Sequence, residues 1–216
     1  MDFSILQVLE NTLYFLAVLN PASKILFLTA YDPPLNFAQT WELSWKSSLA
    51  ALLMLISFAL LGQVVLQKVF RIEMYSLRAT GGLILFFTGW LAVREGRFFQ
   101  LNKGAKNKKT DFTELSIIPL AAPLMSGPGT ITIALSLAAE FGYWHCITVL
   151  SVAILVNFCL MICALPINRL LLKMRLAGPL VRITGLVVAT VAVQMIFSGL
   201  SEWLQTLPFC SPPTTP

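Results

Sequence analysis

Two short polar stretches interrupt apolar runs of this chain, and both contain a proline. The first is LNPASK, from Leu19 to Lys24, and the second is MSGPGT, from Met125 to Thr130. Proline has no N–H and clashes with the carbonyl four residues back, so a helix ends before it and can restart at it. The restarted helix presents N–H groups that attract an anion, and the ended helix leaves carbonyls that attract a cation. The two stretches are therefore suited to hold the two charges of a zwitterion.

Small and polar side chains lie beside both prolines. We expect Asn20 to cap the helix that restarts at Pro21. Gly127 and Gly129 remove side-chain bulk beside Pro128, so that a solute can approach the backbone. The alternative is a pair of structural kinks, because proline and glycine are common in membrane helices. The predicted substrate-binding residues are Asn20, Pro21, Ser23, Ser126, Gly127, Pro128, Gly129 and Thr130.

Charged residues within the apolar runs form a second group of candidates. A lysine at the centre of a membrane span costs roughly 2.5–3.5 kcal/mol, so Lys24 either lines a cavity or extends to the membrane interface. Glu10 is its nearest plausible acidic partner in sequence, although it lies toward the outer end of the span. Arg78 and Arg182 begin their spans and serve either as headgroup anchors or as gating groups. The predicted coupling or gating residues are Lys24, Thr132, Arg78, Thr80, Arg182 and Thr184.

The elements that position these residues are membrane helices. Of 216 residues, 57% are hydrophobic and 12% are charged, against about 25% charged in a soluble domain. The apolar residues form six blocks, each near the roughly 20 residues that a helix needs to cross a bilayer. The chain is thus predicted to be an all-α membrane protein with helices over 4–30, 47–67, 77–93, 115–139, 145–167 and 179–200.

The chain contains a weak internal repeat. The segment 78–83 (RATGGL) matches 182–186 (RITGL), and Pro21 matches Pro128 at nearly the same offset. Three spans per repeat is an odd number, so the second copy enters the membrane from the opposite side. We therefore expect two inverted three-helix repeats, whose first and fourth helices are broken at the two prolines, as in many transporters. The predicted divisions are 1–93, a loop 94–114, 115–200 and a tail 201–216.

The distribution of basic residues predicts the orientation. The loops 31–46, 94–114 and 168–178 lie on one side of a six-span chain and carry most of its lysines and arginines. Basic loops remain in the cytoplasm, so this side is predicted to be cytoplasmic and both termini to lie outside a bacterial inner membrane. This sorting also explains the basic loop 94–114 without a nucleic-acid partner; lipid is the expected environment.

The remaining chemistry-bearing residues predict no enzyme. We find no nucleophile–base pair at depth, no metal-ligand spacing and no phosphate-binding glycine–lysine loop, so catalytic residues, metals and cofactors are not expected, apart from a possible coupling cation, sodium or proton. Cys146 and Cys210 fall on the same predicted side and would be able to form a disulfide.

The sequence resembles the MarC family of bacterial inner-membrane proteins, also described as a neutral amino acid transporter family. The resemblance covers nearly the whole chain and implies six spans, an inverted repeat and, for some members, cation-coupled uptake of glycine or alanine. Its matching parts are Asn20-Pro21, 77–82 (LRATGG), 119–123 (PLAAP), 126–131 (SGPGTI), Gln194 and Gly199.

The chain departs from this family pattern directly after the first proline. Many relatives continue with a small residue, a neutral polar residue and a second proline, where this chain has Ser23, Lys24 and Leu26. An ammonium group would repel a sodium ion at that place. We therefore expect less reliance on sodium, with proton coupling or solute exchange instead.

Two functions follow from these patterns. The first is a secondary transporter of small neutral amino acids or similar zwitterionic solutes. The second is a structural or partner-binding membrane protein that transports nothing. A carrier needs a polar cavity within the membrane, whereas a partner-binding subunit does not. The sequence leaves the oligomeric state open.

Overall fold

The computed structural model describes residues 5–29, 35–96, 121 and 125–207, and these residues form helices joined by short turns. In chain order the helices are α1 (Ile5–Leu19), α2 (Pro21–Thr29), α3 (Phe37–Val64) with a π-helical turn at Val65–Val69, α4 (Met74–Glu95), α5 (Pro128–Phe141), α6 (Tyr143–Ile162), α7 (Ala164–Lys173) and α8 (Ala177–Gln205).

Five segments of the described chain are long and apolar enough to cross a membrane. They are Ile5–Thr29, which combines α1 and α2, and Phe37–Gly62, Met74–Glu95, Tyr143–Ile162 and Ala177–Gln205. At 1.5 Å per residue, the 14 residues of α5 extend only about 21 Å. Most of the predicted fourth span before Pro128, the greater part of the loop 94–114, and 208–216 lie outside the described residues. The described helices thus establish a multi-span membrane protein but do not establish six spans or the inverted repeat.

Large apolar side chains cover the outward faces of these helices. A soluble monomer rarely exposes so much contiguous apolar surface, whereas lipid accommodates it at no cost. The exposed residues include Leu13, Leu53, Phe87, Leu155, Ile183 and Phe197. Several polar residues are buried inside the bundle, among them Ser44, Ser47, Thr132 and Asn157, as a membrane environment favours.

Helix α3 begins at Phe37, ten residues before the predicted start at 47, so the predicted loop 31–46 is wrong over its second half. Asn36 and Gln39 form a reciprocal capping box that starts the helix. The first turns were missed because their polar residues, such as Thr40 and Ser44, are buried in the bundle and lower the local hydropathy. Lys46, expected in the loop, lies within the helix and pairs with Glu42 at 2.6 Å.

Helices α4 and α8 form the tightest pair and run antiparallel. A Cβ atom added to Gly82 would lie 2.8 Å from the carbonyl oxygen of Ala192, and one added to Gly199 would lie 2.7 Å from that of Tyr75. Small residues let two backbones approach closely, which stabilises helix pairs in lipid, where no hydrophobic effect drives association. Helices α1, α2, α5 and α7 contact this pair, whereas α3 and α6 pack against each other.

We expect Gly89→Ala to destabilise the fold. Its added Cβ would lie 2.7 Å from the Ala189 nitrogen and from the Gly185 oxygen, and overpacking of this kind costs about 1–3 kcal/mol. Thermal unfolding in detergent measures the effect. Gly178→Ala is the matched control, because nothing lies within 4 Å of its added Cβ. Equal unfolding of both variants would show that the α4–α8 contact is loose.

Candidate functional site

The two proline breaks lie side by side and border one cavity of about 250 Å³. The first break contributes residues from the end of α1 and the start of α2, and the second contributes the first turn of α5. Helices α4 and α8 supply the opposite wall. The cavity is lined by Val18, Leu19, Asn20, Ser23, Lys24, Ile84, Leu85, Thr88, Gly127, Pro128, Gly129, Thr130 and Val188. We call it the central cavity.

At the first break, Asn20 separates two helices by adopting a left-handed backbone conformation, with φ of 52°. Its carbonyl oxygen accepts hydrogen bonds from the Ser23 nitrogen (3.1 Å) and the Ser23 hydroxyl (2.7 Å). The predicted cap by the Asn20 side chain is wrong, because its Oδ1 has no hydrogen-bond partner although the residue is only 6% exposed. A buried acceptor without a partner costs about 1–3 kcal/mol, so the break leaves an unused acceptor at the cavity wall.

Lys24 lies inside the bundle and is 1% exposed, so it does not extend to the membrane interface. Its Nζ donates hydrogen bonds to the carbonyl oxygens of Leu19 and, at 3.4 Å, Asn20. The last carbonyls of a helix have no donor within that helix, and a cation is favourable at the negative end of α1. Among the described residues no carboxylate pairs with Lys24, and Glu10 is exposed near the other end of α1. The lysine therefore supplies hydrogen bonds to the backbone carbonyls at the first break and places one positive charge at the cavity.

At the second break, hydroxyl groups donate to backbone carbonyls on the N-terminal side of Pro128, at Ala121, Met125 and Gly127. The Ser126 hydroxyl donates to the Ala121 oxygen at 2.8 Å, and the Thr130 hydroxyl donates to the Met125 and Gly127 oxygens at 2.9 Å each. The first N–H groups of α5 have no acceptor within their own helix. They remain available to a ligand at the positive end of the helix.

Gly129 has no side chain because Leu85 of α4 occupies the place. A Cβ added to Gly129 would lie 2.7 Å from a methyl carbon of Leu85. The glycine therefore lets Leu85 pack directly on the first turn of α5 at the cavity wall.

The central cavity has groups for both charges of a small zwitterion. The N-terminal ends of α2 and α5 and the Lys24 ammonium favour a carboxylate. The Asn20 Oδ1, which has no hydrogen-bond partner, is able to accept a hydrogen bond from an ammonium. Lys24 is the one charged residue among those that line the cavity. Pockets for drug-sized ligands are roughly 300–1,000 Å³, so a cavity of about 250 Å³ suits a smaller solute.

The other predicted residues do not line this cavity. Ser126 is buried behind it, and Pro21 starts α2 beside it. Thr132 bonds to the Pro128 oxygen at 2.8 Å and packs against Gly81. Thr184 bonds to its own helix, at 2.8 Å from the Leu180 oxygen. Thr80 and Arg182 are exposed on the outward faces of α4 and α8.

Arg78 belongs to a second cavity, of about 230 Å³. Its guanidinium forms ion pairs with Glu140 of α5 and Glu202 of α8, and its Nε donates to the Ser136 hydroxyl at 2.9 Å. With a side chain only 14% exposed, Arg78 is not a headgroup anchor. The sequence analysis did not identify either glutamate. Both lie near the ends of apolar segments, a position that would have marked them as possible partners of Arg78. The cavity is lined by Asn11, Tyr14, Arg78, Ile133, Ser136, Leu137, Glu140, Phe141, Met195 and Ser198.

The predicted disulfide involves one residue that the structure describes. Cys146 is buried, with its sulfur 3.3 Å from the Ala134 oxygen, and Cys210 lies outside the described residues. Within 5–29, 35–96 and 125–207, no group of three His, Cys, Asp or Glu residues is able to hold a metal ion.

Broken helices around a polar cavity in an apolar bundle define an integral membrane protein with an internal polar site. The chain belongs to the MarC family of integral membrane proteins, whose family model matches residues 6–204. It is 30% identical to a UPF0056 membrane protein of Pyrococcus horikoshii over 89% of this chain and 93% of the relative. It is 26% identical to one of Bacillus subtilis, over 88% and 92%.

A third similar protein, a UPF0056 membrane protein of Archaeoglobus fulgidus, is 29% identical over 77% of this chain and 79% of the relative. These names place the relatives in membranes and state no transported solute. No solved structure is significantly similar to this chain.

Proposed function

We propose that this protein is a secondary transporter of small neutral amino acids or similar small zwitterions across the cytoplasmic membrane. The observation that carries the proposal is the meeting of both helix breaks at one cavity. In lipid, freed backbone groups persist only where the protein satisfies them or where they line a cavity. Two separate kinks would not need to share one cavity, and a partner-binding subunit would not need the cavity at all.

The packing of the helices supports alternating access. Contacts between α4 and α8 keep one antiparallel register, in which Gly82 meets Ala192 and Gly89 meets Gly185. Helix α1 packs on α6, and α3 packs on α5. In the two predicted repeats the first span, which contains α1, corresponds to the fourth, which contains α5, and α3 corresponds to α6. The contact of α1 with α6 therefore corresponds to the contact of α5 with α3, as expected of inverted repeats. Leu85 and Val188 line the central cavity from the middle parts of α4 and α8, so the site lies near the axis that relates the two predicted repeats.

The charges at the two ends of the bundle support the proposed orientation. The end that holds the start of α1 and the end of α8 carries more acidic than basic residues, including Glu140 and Glu202. The opposite end carries Arg94, Arg169, Lys173, Arg175 and Arg182. Basic segments favour the cytoplasm, so we place both termini outside, the loop 94–114 inside and the protein in an inner membrane.

Uptake into proteoliposomes tests this function. We expect purified protein to accumulate radiolabelled glycine or alanine well above protein-free liposomes, and unlabelled glycine to compete. Acetate, which lacks the ammonium, and glycinamide, which lacks the carboxylate, should not compete, because each meets only half of the groups of the central cavity. No uptake of any small zwitterionic amino acid, with or without sodium and pH gradients, would exclude the proposal.

A further inference from the structure

The second cavity and the central cavity lie along the same four helices. On α1 they are lined by Asn11 and Leu19, on α4 by Arg78 and Leu85, and on α8 by Ser198 and Val188; α5 contributes to both. At 1.5 Å per residue these separations are about 10–15 Å. The second cavity therefore lies between the central cavity and the end of the bundle where α1 begins.

The second cavity presents one charge of each sign. Among the residues that line it, Arg78 and Glu140 are the charged pair, and their side chains form an ion pair at its wall. Ser136, Ser198, Asn11 and Tyr14 add hydroxyl and amide groups. The Arg78 guanidinium is also held by Glu202 and by the Ser136 hydroxyl, so it keeps two partners when Glu140 releases it.

We propose that the second cavity is a second binding site for the same small zwitterion, occupied on the way to the central cavity. This inference rests on the proposed transport function. The solute enters between Arg78 and Glu140, its carboxylate binds the guanidinium, and its ammonium binds the Glu140 carboxylate. Each side chain exchanges one opposite charge for another, so neither is left unpaired. An anion would bind Arg78 and leave Glu140 without a partner, and a cation would bind Glu140 and take from Arg78 one of its two carboxylates, so the pair selects zwitterions.

Two glutamate variants separate binding from structural support. Glu140→Gln and Glu202→Gln each remove one ion pair to Arg78, but only Glu140 lines the cavity. A purely structural Arg78 cluster predicts equal effects of the two substitutions. A binding site predicts that Glu140→Gln weakens glycine binding far more, because the ammonium loses its partner.

The test uses the purified full chain with the central cavity blocked by Gly129→Leu, and measures equilibrium binding of radiolabelled glycine. We expect Gly129→Leu to retain glycine binding, and we expect neither glycinamide nor acetate to compete with that binding. Adding Glu140→Gln should weaken it by at least about tenfold, the loss of one charged hydrogen bond. Adding Glu202→Gln should weaken it by less than about threefold.

The outcomes also separate this inference from the proposed function. The second site would be overturned, and the central site left intact, by either of two results. In the first, the unsubstituted protein binds glycine and Gly129→Leu abolishes this binding; in the second, both glutamate variants lose binding equally. An unsubstituted protein that neither binds nor transports glycine or alanine would overturn both proposals. If Gly129→Leu does not fold, Gly127→Leu, at another glycine that lines the central cavity, blocks it instead, with the same expectations.

Discussion

Gly129→Leu should abolish solute uptake while the protein still inserts into the membrane. Its side chain would enter the space that Leu85 and the central cavity now occupy, since even an added Cβ lies 2.7 Å from a Leu85 methyl carbon. The solute would lose its contacts with the first turn of α5. Two hydrogen bonds to a carboxylate contribute roughly 1.5–3 kcal/mol each, so we expect uptake to fall at least about 100-fold.

Glycine uptake by proteoliposomes with matched protein content measures this effect, and gel filtration in detergent checks that the variant is folded. Gly178→Leu is the matched control, because its added Cβ has nothing within 4 Å and it lies at the start of α8, away from both cavities. Normal uptake by Gly129→Leu would show that no solute passes the backbone of the second break.

Lys24→Asn should lower uptake and make the remaining uptake depend on sodium. The ammonium of Lys24 already supplies a positive charge at the central cavity and holds the last carbonyls of α1. A sodium ion about 5 Å from it would be repelled by roughly 3 kcal/mol at an effective dielectric constant of about 20. Asparagine removes this repulsion and supplies an oxygen ligand, so a cation is able to take the place of the ammonium.

The comparison is uptake driven by a sodium gradient and by a pH gradient, for the unsubstituted protein, Lys24→Asn and Lys24→Arg. We expect the unsubstituted protein to change less than about twofold with the sodium gradient, and Lys24→Asn to lose about tenfold in rate without sodium. Lys24→Arg is the control that keeps the charge and should stay independent of sodium. Strong sodium dependence of the unsubstituted protein, unchanged in Lys24→Asn, would mean that Lys24 only closes the helix break.

The sequence predicts the breaks well because proline acts locally. Proline lacks an N–H and clashes with the preceding turn, so it breaks or kinks a helix, and α2 and α5 begin at Pro21 and Pro128. The same local reasoning failed at Asn20, which was expected to cap α2 through its side chain. A left-handed backbone at Asn20 gives that role to its carbonyl oxygen, and nothing in the neighbouring residues specifies this conformation.

The partners of the charged residues were not predictable, because they depend on how the helices rotate and pack. Arg78 and Arg182 hold matching places in the repeat, yet Arg78 is tied to Glu140 and Glu202, and Arg182 is exposed. Those glutamates are 62 and 124 positions from Arg78 in the chain. Similarly, Thr80 and Gly81 are neighbours in sequence, but only Gly81 faces Thr132 of α5.

By itself, the sequence determined that this protein is a helical membrane protein with two broken helices and one lysine beside the first break. Hydropathy and the geometry of proline act over a few residues, so they can be read without knowing the fold. Only the tertiary structure decided that the breaks share a cavity, that Lys24 turns back to the carbonyls of Leu19 and Asn20, and that a second cavity forms around Arg78. These features depend on the rotation and register of each helix, and close packing such as that of Gly89 on α8 fixes both. No single segment of the sequence contains that information, because the packing joins residues that are far apart in the chain.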